Sequence, residues 1–501
     1  MLRAPRPLNA RRRRIILLLL CVASALWLIT SQISTYGYFA LQAFVSSALD
    51  SGIIPLCILR KPPVLFVHNE DYVYVTWESS CYRTPPLVVE WQQQPYWQYA
   101  DGSSHAFDDK VVSNFSAPIY ETINSKHIRA MALIGPLVRD ERMVVAYRLI
   151  AASATSVPRR LVASGPFVFV CSQRDPSPRP DSDQKGRAIG NVTMLVVGDN
   201  QMGERTFRQI LLSVKASTRA AGTSLMPGRP RLPAFDYILH AGDIVQRAWQ
   251  LGDWENNMFG PLTNTGIGQT TPMIFVPGNH DYLPSAGTCF ARNLYLDLVH
   301  NLTDLAPLAK FCQYASEPQP PGSQGNGSAS SSCYSGHQAY FAVTVAGARI
   351  IVLDSECDTP DQMRFLESEL QSANSDASVR YVIVAVHIPP YLEYWDPVAF
   401  FELGEKDWDQ YIREVYDPLF RKYGVDLVIS GHQHNYQRSV IDRGGAGGSL
   451  DKECVQKFDG MYEVGYIGYH YVELTFASDG RLHWLARDAL SAIIIHVSRA
   501  G

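Results

Sequence analysis

MIFVPGNHD, Met273 to Asp281, is an apolar run that ends in an amide, an imidazole and a carboxylate. Four further runs share its form: MLVVGD to Asp199, YILHAGD to Asp243, VIVAVH to His387, and LVISGHQH to His432 and His434. Each is rich in Val, Ile or Leu and bounded by Gly or another turn residue, which reads as a strand buried on both faces. Segments of helical spacing lie between them. Phe207, Ile210, Leu211 and Val214 follow the first run, and Met363, Leu366 and Leu370 precede VIVAVH, with Pro360 suited to the first turn. Trp408, Ile412, Val415 and Leu419 precede the last run, and Gly424 is placed to stop that helix. Alternating strands and helices predict an α/β layered domain, in which ligands collect beyond the carboxyl ends of the strands. All five polar endings fall there.

The donor chemistry is selective. Asp, Asn and His with no Cys among them suit Mn²⁺, Zn²⁺, Mg²⁺ or iron rather than a thiolate metal. With this many donors one carboxylate can bridge two ions roughly 3.5–4 Å apart, the spacing of two-metal phosphoester chemistry. On GNHDY (278–282), VAVH (384–387) and GHQHNYQR (431–438) the chain resembles the calcineurin-like metallophosphoesterases of the purple acid phosphatase branch. The tail 482–499 has the rhythm of that branch's closing strands, and the likeness extends over roughly 60–499.

The resemblance implies a layered αββα catalytic domain over 191–499 and two divalent metal ions, Mn, Zn, Fe or Mg. Asp199 and His434 would hold metal 1, Asp243 would bridge, and Asn279, His387 and His432 would hold metal 2. His280 would contact the phosphate or protonate the leaving oxygen, with Asp281 orienting it. The implied reaction is in-line hydrolysis of a phosphomonoester by an activated hydroxide, on a phosphorylated small-molecule or protein substrate. Phosphodiester or pyrophosphate cleavage is the nearest enzymatic alternative, and a catalytically weak phosphate-ligand binding or adhesion module is the alternative of a different class.

Two positions depart from the pattern. Purple enzymes carry Tyr three residues after the bridging Asp, where this chain has Gln246; a related branch carries His two residues after the first Asp, where this chain has Gln201. Without a phenolate the expectation is a colourless enzyme using divalent ions. Gln201 either ligates metal 1 through its side-chain oxygen or hydrogen-bonds a bound water.

Outside the catalytic region, Arg11–Arg14 abut an apolar run from Ile15 to Thr30. Basic before apolar places residues 1–50 as a cytosolic tail with an uncleaved signal-anchor in type II topology, or a signal peptide removed on secretion. The catalytic part would then be lumenal or extracellular. Four glycosylation sequons, at Asn114, Asn191, Asn301 and Asn326, and eight cysteines outside the apolar run agree with export. Cys81 and Cys171 are one candidate disulfide pair, and the alternative is that some of the eight are buried free thiols. Net charge is −4 with a pI near 6.4, so composition gives no pull toward nucleic acid.

Residues 60–172 read as an all-β sandwich, with strands over 72–77, 87–91, 143–150 and 167–170, similar to the fibronectin-III-like domain that precedes the catalytic domain in larger purple acid phosphatases. Residues 173–190 read as a linker and 317–332 as a surface loop. Asp354 and Glu356 are expected to be structural, His240 to be a buried structural histidine, and Tyr436 and Arg438 to buttress the last metal loop. The aromatic-rich stretch after His387 is either one wall of the substrate cleft or a hydrophobic cover.

Overall fold

The computed structural model describes residues 59–79, 87–124, 127–151, 162–172, 191–220, 230–248, 250–282, 340–355, 360–391, 409–434, 436–439, 462–466, 469–477, 479–490 and 493–500. The expected anchor 1–50, the linker 173–190, the loop 317–332, Cys81, Glu356 and the aromatic stretch beyond Tyr391 lie outside them. No described helix is long and apolar enough to cross a membrane.

The five apolar runs are strands, as their composition predicts. β9 (Val192–Val197), β10 (Tyr237–His240) and β11 (Met273–Phe275) pair in parallel, with Ile238 opposite both Leu195 and Met273. In a second sheet, β12 (Phe341–Val345) pairs antiparallel to β13 (Ala348–Leu353), which pairs in parallel with β14 (Tyr381–Val386); β15 (Leu427–Ile429) extends it. Every residue of β14 is buried, as a strand covered on both faces requires.

Three apolar layers hold these sheets. Met194, Leu239 and Ile274 from the first sheet meet Val343, Ile350 and Ile383 from the second. On the first sheet's outer face lies the helix Glu204–Ala220, burying Phe207, Ile210, Leu211 and Val214 against Leu195, Ile238 and Phe275. On the second sheet's outer face lie the helix Pro360–Ser375, through Leu366 and Leu370, and the segment Ile412–Tyr423, through Ile412, Tyr416 and Phe420. The result is the expected αββα layering. That last segment opens with a π-helical turn over Ile412–Tyr416, and Gly424 ends it at φ +66°, in the left-handed region.

The N-terminal part is less separate than its sequence suggests. β1 (Leu59–Val67), β2 (Val73–Ser79), β6 (His127–Ile134) and β5 (Ile119–Asn124) form one antiparallel array. β4 (Asn114–Ser116), β3 (Leu87–Pro95), β7 (Met143–Ala151) and β8 (Val162–Cys171) form another. The two share a core of Leu65, Val75, Trp77, Val89, Trp91, Tyr147 and Phe169. The first array is not free-standing: β1 joins β11 through Phe66 opposite Met273. A ten-stranded sheet therefore runs from β5 through β1, β11, β10 and β9 to β18 (His470–Phe476), β19 (Arg481–Asp488) and β20 (Ile493–Ala500). Buried Arg139 ties the parts further, donating to the carbonyls of Ser172 (2.9 Å), Glu70 (2.6 Å) and Thr344 (3.0 Å).

One expectation is corrected here. Cys171 is a buried free thiol, not half of a disulfide, and burial pushes it up to about 11. It ends β8 opposite Met143, at the edge of the core the two arrays share.

Candidate metal centre

Four of the predicted ligands leave the ends of strands in an uncommon backbone conformation. Six described non-glycine residues have positive φ, and four of them are Asp199 (54°), Asp243 (54°), His432 (74°) and His434 (51°). Backbone strain of this kind persists only where surrounding contacts hold it, and it clusters at functional sites. Three glycines permit the crowding. A Cβ on Gly242, Gly278 or Gly431 would lie 2.5 Å from His387 Nδ1, 2.2 Å from Asp243 Oδ1 and 2.6 Å from Asp199 Oδ2, respectively. These glycines belong to the site as much as the ligands beside them, and the Gly-Asp, Gly-Asn and Gly-His dipeptides were the signal for them.

The ligands converge as two groups that share one residue. Asp243, His387 and His432 bring ligand atoms within 4.8 Å of one another, and so do Asp199, Asp243 and His434. Asn279 joins the first group: its Oδ1 is 3.1 Å from His387 Nε2 and 3.2 Å from His432 Nδ1. Donors that each sit about 2.0–2.2 Å from one ion are about 3–3.5 Å apart, so this spacing fits a shared metal.

Hydrogen bonds fix the donors. The His387 Nδ1–H donates to the Ala241 carbonyl at 2.7 Å; a carbonyl only accepts, so Nε2 is the ligating nitrogen. The His432 backbone N–H donates to Asp199 Oδ1 (2.7 Å), and the His280 N–H to Asp243 Oδ1 (2.9 Å).

Gln201 lies inside the second group. Its Nε2 is 3.1 Å from Asp243 Oδ2 and 3.0 Å from His434 Nε2, while its buried Oε1 has no hydrogen-bond partner. Inverting the carboxamide would turn that oxygen toward Asp243 and His434. An oxygen beside a carboxylate is favoured only with a cation between them. The residues present thus fit a dinuclear centre of hard cations.

Asp281 departs from its expected part. Its carboxylate is fully buried and accepts backbone N–H groups from Gly278 (2.9 Å), Asp243 (3.0 Å), Ile244 (3.1 Å) and Val245 (3.4 Å), instead of contacting His280. The partner of His280 Nδ1 is the Gln246 carbonyl at 3.3 Å. Asp281 clamps two ligand loops together, so it acts on His280 through the backbone only.

Behind Gln201 lies a polar relay that sequence reasoning missed. Asn257, in the π-helical turn Glu255–Phe259, donates to the Gln201 carbonyl (2.8 Å) and accepts from Asn200 through its own carbonyl (2.8 Å). Asn200 Oδ1 meets His240 Nε2 at 2.6 Å, and His240 Nδ1 accepts the Gly242 N–H at 3.2 Å. Burial, then the nearby His387, lowers His240 to about 3, so it stays neutral and can accept. His240 is the structural residue expected of it. So are Asp354, whose backbone N–H and carbonyl bond the Gln362 carboxamide at 2.7 and 2.8 Å, and Tyr436, whose hydroxyl accepts from Trp484 at 2.9 Å. Tyr391 donates to Asp417 at 2.8 Å.

The metal-free site holds protons that an ion must displace. Burial alone would lower His387, but Asp243 at 3.4 Å and then Asp199 reverse this and raise it to about 10. Burial, with Asp243 adding to it, raises Asp199 to about 7. Burial lowers His432 to about 3, so that ring is already neutral. Since ligands must be deprotonated to bind, metal affinity is lost as pH falls through each raised value. Calorimetry in buffers of differing ionisation enthalpy should show about one proton released per binding event between pH 7 and 10, and more below 7. A pH-independent affinity over 6–9 would contradict this.

Comparison with known proteins agrees with the geometry. Residues 192–436 match the calcineurin-like phosphoesterase family. Purple acid phosphatase 1 of Ipomoea batatas is 31% identical over 173 residues, 34% of this chain and 29% of that protein. Fe(3+)-Zn(2+) purple acid phosphatase 12 of Arabidopsis thaliana is 31% identical over 172 residues, again 34% and 29%. Acid phosphatase type 7 of Homo sapiens is 36% identical over 80 residues, 15% of this chain and 18% of that protein. The matched segments thus span under a third of each relative's length. Among solved structures, Ruminococcus gnavus beta-glucuronidase aligns at 7% identity with a TM-score of 0.20, over 82% of this chain and 69% of its own, a likeness too slight to bear on the fold. Residues 192–436, which build the metal centre, thus form a calcineurin-like phosphoesterase domain that is similar to the purple acid phosphatases.

Proposed function

We propose that the chain is a metal-dependent phosphatase that hydrolyses phosphomonoesters where the two ligand groups meet. The observation that carries the reading is Asp243, shared by two donor sets already at coordination spacing. Two divalent ions bound there would supply Lewis acidity toward the phosphate and a water of lowered pKa.

The chain's own residues supply position and protons. Asp199, His434 and the Gln201 carboxamide hold one side, Asn279, His387 and His432 hold the other, and Asp243 joins them. His280 is left out of both groups. Its N–H on Asp243 and its Nδ1 on the Gln246 carbonyl fix the ring, so Nε2 meets a phosphate oxygen or protonates the departing one. Relatives named as acid phosphatases support the monoester class. The basic-then-apolar N-terminus and the sequons support a lumenal or extracellular site behind a signal-anchor.

The test is hydrolysis of an aryl phosphomonoester and the matching diester by apo protein reloaded with Mn²⁺, Zn²⁺ or iron, with Asn279→Ala as control. Monoester turnover restored by a divalent ion and lost in the variant is the expected result. Turnover of the diester alone would overturn the monoester assignment. The iron-loaded protein should also be colourless, because Gln246 stands where a tyrosinate would be needed. A visible charge-transfer band would sink that expectation.

A further inference from the structure

The turn that carries Gln201 runs outward from the metal centre into solvent. Gln201 reaches in, but the next residue, Met202, is 73% exposed. Gly203 then brings the backbone against Tyr469: a Cβ on that glycine would lie 3.5 Å from the ring's Cε1. Tyr469 is itself 63% exposed, although its backbone is anchored. Its carbonyl accepts the Ala489 N–H at 2.9 Å, and the adjoining His470 packs edge-on against buried Tyr436 with centroids 5.4 Å apart. His434, in contact with Gln201, has a side chain 39% exposed, so the ligand group opens to solvent beside this same turn.

A lone exposed apolar residue needs no explanation, but two together at the rim of a polar metal centre do. Binding sites commonly join a few fixed polar groups to an apolar wall. A phenol ring takes another ring in an offset or edge-on contact, and a thioether packs well on an aromatic edge. Both residues stand at one turn beside the ligand group, since Gly203, next to Met202, abuts the Tyr469 ring.

We propose that Met202 and Tyr469 form the subsite for the organic group of the ester, and that this group is aromatic. The inference rests on the phosphatase reading, because a phosphate held by the metal ligands is what brings the organic group to this rim. The subsite binds ground state and transition state alike, so its contribution appears in KM and not in kcat.

The probes are benzylphosphonate and methylphosphonate, which share a dianionic head and cannot be hydrolysed, bound to full-length Mn²⁺-loaded protein. The benzyl compound is expected to bind about tenfold tighter. Tyr469→Ala and Met202→Ala should each narrow that ratio severalfold, and Tyr469→Phe should keep it. Aryl over alkyl preference in kcat/KM should narrow in step, through KM. Equal affinities in the unaltered protein, or a ratio unmoved in both alanine variants, would overturn the subsite and leave the phosphatase reading standing. Binding of neither phosphonate would overturn both.

Discussion

Asp243→Asn should strip metal from both ligand groups at once and lower phosphomonoester turnover by at least about 10³-fold. Outer-shell partners of a metal typically cost roughly 10–100-fold when removed, and this residue is a direct donor to two groups. The substitution keeps the shape and removes the charge. It also sets an amide NH₂ against groups that now donate to the carboxylate, the His280 N–H on Oδ1 and the Gln201 amide on Oδ2. With His387 no longer facing an anion at 3.4 Å, the force holding that ring protonated in the metal-free state is lost as well. Elemental analysis of the folded variant is the deciding measurement. Two ions per chain, with unchanged turnover, would refute the bridging assignment.

Asp281→Ala should be the most destabilising single change at the site. Four backbone N–H groups converge on that buried carboxylate, and alanine would leave all four without an acceptor. At roughly 1–3 kcal/mol for each buried donor left unsatisfied, partly relieved by relaxation, the loss is about 3–5 kcal/mol. A fall in Tm of roughly 10 °C would follow for a domain of this size. Asp281→Asn retains one acceptor oxygen and should fall between the two. Thermal unfolding of metal-free protein separates this from a loss of ligand affinity, and a Tm unchanged within a degree or two would show that the loops do not depend on the clamp.

The two residues illustrate what a sequence discloses. Asp243 was legible because it ends an apolar run after Gly, the local pattern that strand, turn and ligand impose on consecutive residues. So were the helices marked by Phe207, Leu366 and Ile412, because a buried helix face must repeat at its own period. Asp281 was legible as a site residue but not in its partners: three of the four amides it accepts belong to a strand end some forty residues earlier. The relay from Gln201 through Asn257 and Asn200 to His240 fails the same way, since it joins three separate segments by contacts that leave no periodicity. The pairing of Phe66 with Met273 had no signal either, because two apolar strand residues look the same whether or not they share a sheet. Cys171 shows the opposite error. A cysteine at a strand end invites pairing, yet a buried thiol also packs as a small apolar side chain, and Cys171 does so.

That single parallel pairing of β1 on β11 makes the N-terminal arrays part of the catalytic layer's construction. The long sheet has two terminal strands, β5 and β20. Cut the chain after the first two arrays, at the apparent linker, and β11 becomes a raw margin of unpaired N–H and C=O groups. It would lie directly beside the loop that carries Asn279 and His280, and such margins recruit strands from other molecules. A protein divided at the boundary its composition suggests would therefore be expected to come out as aggregate, whereas one beginning ahead of Leu59 keeps its seam closed.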